Sequence, residues 1–283
     1  MLIRICALLF FSVSAISGQG SDFFIQGSDP QFGMYAKDQN FVQETANFEF
    51  FIANVNRLKP MFAIVCGDLI NKTGDSAQIA EFHRIAGKLN AAIKLYNVAG
   101  NHDVGNEPTP ERLALYRKNF GLDWYSFQES GLYGIVLDSS VIAFPAKVQS
   151  EAAKQEQWLR AELEKAKLSG RLVVIFQHIP WFLSNADEPD QYFNITKPIR
   201  AKYLKLFAES GVRYIFAGHY HRNQLGTGAN SLAMITTGPI GMPIGPDPSG
   251  FRIVTVNGSE LKQEYYGLGT IPNTYPPPPP TVH

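Results

Sequence analysis

Cysteine is the scarcest signal in this chain: its 283 residues include two, Cys6 and Cys66. Two thiols cannot build the disulfide framework of a small secreted scaffold. Cys6 falls in an apolar leader, and Cys66, inside AIVCGD, reads as a small core residue. Charge is sparse and balanced, with 25 Lys+Arg against 25 Asp+Glu. That leaves no basic tract for nucleic acid and no polybasic patch for a membrane surface. Beyond the leader, no apolar stretch is long enough to cross a bilayer. What remains is an ordinary globular composition, 45% hydrophobic and rich in Phe (20) and Tyr (12). The length suits one large domain or two small ones.

The two ends read as separate from that domain. MLIRICALLFFSVSAISGQG carries Arg4, an apolar stretch and then small residues, the pattern of a secretory signal peptide. Residues 1–18 are assigned to it, with cleavage after Ala15, Ser17 or Gly18. The expected destination is the periplasm or the exterior, with no membrane association once the leader is gone; the alternatives are a retained anchor or a buried N-terminal strand. Residues 269–283, with YPPPPPTVH from Tyr275, read as a Pro-rich extended tail, either a spacer or an SH3-type ligand. Sequons at Asn71, Asn194 and Asn257 matter only if a eukaryotic secretory pathway made the chain.

Between the ends, strand and helix patterns alternate. Strands are expected at 23–28, 61–66, 93–98, 133–138, 171–177, 212–217, 231–237, 251–256 and 261–266. Helical stripes fall at 38–58, 77–90, 151–168 and 198–209, each presenting an apolar face. Gly/Pro-rich stretches at 104–110 and 238–250 read as loops. Alternation up to about residue 217, then strands alone, predicts an α/β protein of mixed sheets wrapped by helices.

Five of the expected strands end on polar motifs: FFIQGSDPQ, AIVCGD, LYNVAGNHD, VVIFQH and YIFAGHYH. In α/β sheets the carboxyl edge is where ligands bind. Asp, Asn and His delivered there supply the oxygen and imidazole donors of a divalent-metal site. Asp68 offers two carboxylate oxygens, able to bridge two cations. Asn101 offers a carbonyl, and His102 can hydrogen-bond or donate a proton. His219 and His221, at i and i+2, fall on one side of an extended segment. His178, a single His after a strand, is by itself equally a structural residue.

The order D-x-Q, GD, GNHD, H, GHYH resembles the calcineurin-like metallophosphoesterase superfamily over residues 22–268. The flanking stretches FFIQGSDPQFG, FQHIPWFL, DQYFNIT and AGHYHRN point to one subgroup of it. The resemblance implies a four-layer α/β/β/α sandwich of two mixed sheets flanked by helices, spanning residues 21–268. It also implies a two-metal centre of Mn, Fe or Zn, with Asp68 bridging. One metal would take Asp29, Asp68 and His221, with Gln31 near it; the other would take Asp68, Asn101, His178 and His219. Asn101 and His102 would contact the phosphate, with His102 protonating the leaving oxygen and Asp103 orienting His102.

Two departures stand out. Most of the superfamily has D-x-H in the first motif, where this chain has Asp29-Pro30-Gln31. Gln31 can offer only a neutral carbonyl oxygen, as a loose ligand or as the holder of a water. Purple acid phosphatases carry a Tyr ligand three residues after the GD aspartate; here that position is Asn71. Arg222 reads equally as a phosphate contact or a structural arginine. Trp181, Phe182 and 187–193 read equally as cleft walls or packed loop.

The expected activity is hydrolysis of a phosphorylated substrate, a phosphomonoester, by attack of a metal-bridging hydroxide. The subgroup resemblance extends this to phosphoserine or phosphothreonine in protein. The rivals are a phosphodiesterase acting on nucleotides or other diesters, and a metal- or phosphate-binding module that has lost turnover.

Overall fold

The computed structural model describes residues 22–276; the leader and the last residues of the Pro-rich tail lie outside them. The first half runs β1 (Phe23–Gly27), α1 (Val42–Leu58), β2 (Phe62–Val65), α2 (Ser76–Ala86), β3 (Lys94–Asn97), α3 (Asn101–Val104), α4 (Pro110–Phe120), β4 (Tyr125–Glu129), β5 (Leu132–Val136) and α5 (Ser139–Ala143). It continues with α6 (Gln149–Leu168), β6 (Leu172–Phe176), α7 (Lys197–Glu209), β7 (Tyr214–Ala217), β8 (Gln224–Thr227), β9 (Ala233–Thr236), β10 (Gly250–Asn257) and β11 (Glu260–Gly267).

These strands form two mixed sheets, ordered β11-β10-β1-β2-β3 and β4-β5-β6-β7-β9-β8. β1, β2 and β3 are parallel, as are β5, β6, β7 and β9, while antiparallel strands close three of the edges.

Strand alternation builds the layers. Side chains of successive residues leave a strand on opposite faces. Phe24, Phe62, Ile64 and Cys66 therefore meet Val174, Phe176 and Phe216 between the sheets. Their neighbours Phe23, Ile25, Ala63 and Val65 face Phe48, Phe51, Ile52 and Val55 of α1. On the far side Val173, Ile175 and Ile215 face Leu159 and Leu163 of α6 and Tyr203 and Phe207 of α7. The result is the expected α/β/β/α sandwich. Phe24 sits at its centre, stacked on Phe62 at 4.8 Å and edge-on to Phe176 at 5.7 Å and Phe216 at 5.6 Å. Each such fully buried ring stabilises the fold by roughly 1.5–3 kcal/mol.

Several elements differ from the sequence reading. α4 starts within residues 104–110, read above as a loop: Thr109 Oγ1 caps it and Pro110 takes the first helical position, the usual start signal. β4 and β8 are short edge strands, half-exposed, with no clean apolar run. Beyond residue 268, Ile271 and Tyr275 still pack on the first sheet, with Tyr275 4.7 Å from Phe23. Among the described residues no helix is long and apolar enough to cross a membrane.

Candidate metal centre

Parallel strands share a direction, so the loops after β1, β2, β3, β6 and β7 open on one edge. Backbone bonds tie these loops together: Asp29 N–H donates to Gly67 O (3.0 Å), Gln31 N–H to Asp68 O (2.9 Å) and Gly218 N–H to His178 O (3.0 Å). Asp29, Gln31, Asp68, His219 and His221 all lie at positive φ, between 41° and 68°. Non-glycine residues rarely adopt that region, and strain held at several positions marks a functional site. The glycines of the motifs answer to crowding. Gly67 stands at φ +85°, and a Cβ there would lie 2.4 Å from His178 Nδ1. At Gly218 a Cβ would meet Ser28 Oγ at 1.7 Å.

Two buried clusters result, Asp29/Asp68/His221 and Asp68/His178/His219; within each, potential ligand atoms lie within 4.8 Å of one another. Asp68 belongs to both. His178 Nε2 is 3.2 Å from Asp68 Oδ2 and 2.9 Å from Asn101 Oδ1. His221 Nε2 is 3.4 Å from Asp29 Oδ1. Asn101 is turned by its amide, which donates to Asn106 Oδ1 at 2.8 Å and so presents its oxygen to the cluster.

Each imidazole is held by a backbone carbonyl at its other nitrogen. His178 Nδ1 meets Cys66 O (2.8 Å), His221 Nδ1 meets Met242 O (2.6 Å) and His219 Nε2 meets Tyr192 O (3.2 Å). An N–H on the carbonyl side leaves a lone pair on the other, the arrangement that orients metal-bound histidines. Gln31 Oε1 is buried with no hydrogen-bond partner. Carboxylates, amide oxygens and neutral imidazoles in this pattern fit divalent cations.

The electrostatics point the same way. Burial opposes charge on Asp68, but His178, His102 and His219 outweigh it and hold the carboxyl well below its usual range. Burial would lower His178, yet the Asp68 and Asp29 carboxylates push it up to about 10. Burial and the charge on His178 pull His219 down to about 4, keeping it neutral. A cation entering here displaces a proton, the usual coupling at metal sites.

His102, the expected proton donor, stands beside the clusters. The His102 backbone N–H donates to Asp68 Oδ1 at 2.8 Å, and its ring Nδ1 sits 2.6 Å from Asn71 O. The partners of Asp103, expected to orient His102, are backbone groups. Its carboxylate accepts from the N–H groups of Leu69 (2.9 Å), Ile70 (3.1 Å) and Gly100 (2.8 Å), clamping the loops after β2 and β3, while Asn71 O holds the His102 ring. Burial and the charge of Asp68 push Asp103 up to about 8.

The more peripheral residues divide. Arg222 packs over the Tyr220 ring at 5.2 Å and donates to Ile244 O at 3.3 Å, so these partners belong to the loops around it. Trp181 and Phe182, read as candidate cleft walls, are fully buried in the core of the second sheet, with Trp181 stacked on Tyr203 at 5.0 Å. Tyr192 and Phe193, from the same reading, do reach the centre, 5.0 Å and 5.6 Å from His219. A cavity of about 280 Å³ opens beside Asn101 and His219, lined also by Tyr192, Phe144, Ile179 and Ile195. Sequence reasoning missed Phe144, 45% exposed at this cavity, and Asn106; Phe144 follows a helix that no stripe announced.

A two-sheet sandwich that gathers Asp, Asn and His from parallel strand ends around a shared carboxylate defines a metal-dependent phosphoesterase. The chain matches the calcineurin-like phosphoesterase family over residues 26–223 and belongs to it. It is 37% identical over 267 residues to serine/threonine-protein phosphatase CPPED1 of Homo sapiens, and 36% over 266 residues to that of Bos taurus. Each alignment covers 88% of this chain and 85% of the relative. In structure it resembles a dimetal phosphatase from Danio rerio, with a TM-score of 0.65 at 15% identity over 88% of this chain and 97% of that one.

Proposed function

We propose that this chain is a dinuclear phosphomonoesterase that removes phosphate from phosphoserine or phosphothreonine in proteins outside the cytosol. The observation that carries the reading is the sharing of Asp68 between two ligand clusters with His102 bonded to it. Asp29, Gln31, Asp68 and His221 would hold one cation; Asp68, Asn101, His178 and His219 the other. Bound there, such cations polarise the phosphoryl group and activate a water. The chain's own residues do the rest. Asp68 and Asp29 set the charge of the pocket, Asn101 and His102 contact the phosphate, and His102 Nε2 hands a proton to the departing alkoxide.

The cavity beside the centre supports a monoester with a peptide-like leaving group. Its walls are mostly apolar and amide side chains, joined by Tyr192, Thr196 and one carboxylate, Glu107, which pairs with Lys147 at 2.7 Å. The relatives' names, serine/threonine-protein phosphatases, agree with that substrate class. Export follows from the leader reading at 1–18; N-terminal sequencing of the mature chain checks it.

Competition between substrates tests the reading. The metal-loaded chain should turn over phosphoserine and phosphothreonine peptides with higher kcat/KM than bis(4-nitrophenyl) phosphate. Preference for the diester would replace it with phosphodiesterase activity. Binding of phosphopeptide without any turnover would make the chain a binding module.

A further inference from the structure

Gln31 is the departure from the superfamily pattern, and its surroundings say which way its amide points. The chain of hydrogen bonds begins at Gln78, whose Oε1 accepts from the N–H groups of Asn71 (3.0 Å) and Lys72 (2.9 Å). Two donors on that oxygen fix the Gln78 amide, so its Nε2 must be the atom facing Asp38 Oδ1, at 2.8 Å. The same Asp38 oxygen takes Asn71 Nδ2 at 2.8 Å. A carboxylate can only accept, so Asn71 is fixed as well, with its nitrogen toward Asp38 and its Oδ1 toward Gln31. Gln31 answers with Nε2, at 3.1 Å. Its Oε1 is therefore directed away from Asn71, buried and without a donor.

A buried carbonyl oxygen with no partner costs about 1–3 kcal/mol unless something meets it. Gln31 is 1% exposed, two residues from Asp29, and its backbone N–H is bonded to Asp68 O. Space for the relay is kept by Gly33, at φ +110°, where a Cβ would lie 2.7 Å from Asp38 Oδ1 and 2.6 Å from Gln78 Nε2.

We propose that Asp38 and Asn71 are positioning residues that turn the Gln31 carbonyl oxygen onto the Asp29–Asp68–His221 cluster, making that position selective for a hard divalent cation such as Mn²⁺ or Mg²⁺. The position then has three oxygen-donor side chains and one imidazole. The neighbouring cluster has two of each, from Asp68, Asn101, His178 and His219. Carboxylate and carbonyl donors suit Mg²⁺ and Mn²⁺, whereas imidazole suits Zn²⁺ and Fe²⁺. The two positions therefore differ in hardness. The difference originates at an exposed aspartate on the loop before α1.

The inference rests on the dinuclear reading, and the test separates the two. Metal-stripped wild type, Asp38→Ala, Gln31→Met and the double variant are titrated with Mn²⁺ by electron paramagnetic resonance of the free ion, and with Zn²⁺ by calorimetry. Wild type should hold two cations. Asp38→Ala and Gln31→Met should each weaken one Mn²⁺ position about tenfold, the scale of a lost outer contact to a metal ligand. The double variant should lose no more than either alone, because both act through one oxygen. Zn²⁺ binding at the imidazole-rich position should be equal in all four. Unchanged Mn²⁺ affinity in Asp38→Ala, or losses that add in the double variant, would overturn the relay while leaving two bound cations in place. A wild type that holds fewer than two cations would overturn the dinuclear reading itself, and the relay with it.

Discussion

His178 Nε2 lies 3.2 Å from the Asp68 carboxylate, although Asp68 follows β2 in one sheet and His178 follows β6 in the other. The centre is therefore a seam between the two sheets, and its geometry depends on how they pack.

Truncating the ring at the middle of that packing should show in stability. Phe24→Ala removes a fully buried ring that touches both sheets. A loss of about 3–5 kcal/mol is expected in urea denaturation. A loss below about 1 kcal/mol would mean the sheets are not held together there.

His102→Ala should separate chemistry from metal binding. Its backbone N–H still reaches Asp68, so cation content should be unchanged. Turnover of an alkyl phosphate should fall about 10²–10⁴-fold, the usual value of a positioned proton donor. Aryl phosphates, whose leaving groups need less help, should suffer less.

Asn106 turns the Asn101 amide. Asn106→Ala should weaken cation binding or activity about 10–100-fold, as loss of an outer contact to a metal ligand does. Metal content after dialysis and kcat/KM together report it. Wild-type values in both would show that Asn101 keeps its orientation unaided.

Stability should carry the signature of Asp138, which caps α5 by accepting the N–H groups of Ser140 and Val141. Burial and the Asp123 carboxylate push it up to about 8. In the unfolded chain a carboxyl titrates near 4 (about 3.9). Between about pH 4 and 8 the folded state keeps a proton the unfolded state has lost, so this residue's contribution falls as pH rises. Asp138→Asn keeps the cap acceptor and removes the titration. Its stability relative to wild type should rise from pH 5 to 8 and then level; a pH-independent difference would contradict the assignment.

Cys66 should be silent. It is fully buried, and burial raises its thiol far above the ordinary range. A thiol reagent should label it only after unfolding, with no effect on native activity.

The ligand edge was legible because chemistry and local pattern coincide there: an apolar run that stops at Gly-Asp or Gly-His is both a strand end and a donor. The α/β class was legible through the alternation of strand and helix patterns up to about residue 217, and the four-layer sandwich through the resemblance carried by the strand-end motifs. Other features depend on contacts between distant segments. Trp181 and Phe182 follow His178 directly, yet they turn into the core against Tyr203 and Phe207 because α7 packs there. Asp103 sits next to His102 in sequence but is used by the N–H groups of Leu69 and Ile70. The Asp38–Asn71–Gln31 chain joins residues whose proximity no spacing rule announces. α4 was signalled by Thr109-Pro110, a cap followed by a first-turn proline, and was missed beneath the Gly/Pro content of the stretch before it.

The shared carboxylate is the centre of the account, and one paired measurement addresses it: cation content and 4-nitrophenyl phosphate turnover, for wild type and Asp68→Ala, after stripping and reloading with Mn²⁺, Zn²⁺ or Fe²⁺. Wild type should bind two cations and recover turnover with at least one metal. Asp68→Ala should bind fewer than two and lose at least about 10³-fold in kcat/KM. An Asp68→Ala protein that keeps both cations, or turns over within a few-fold of wild type, would contradict it.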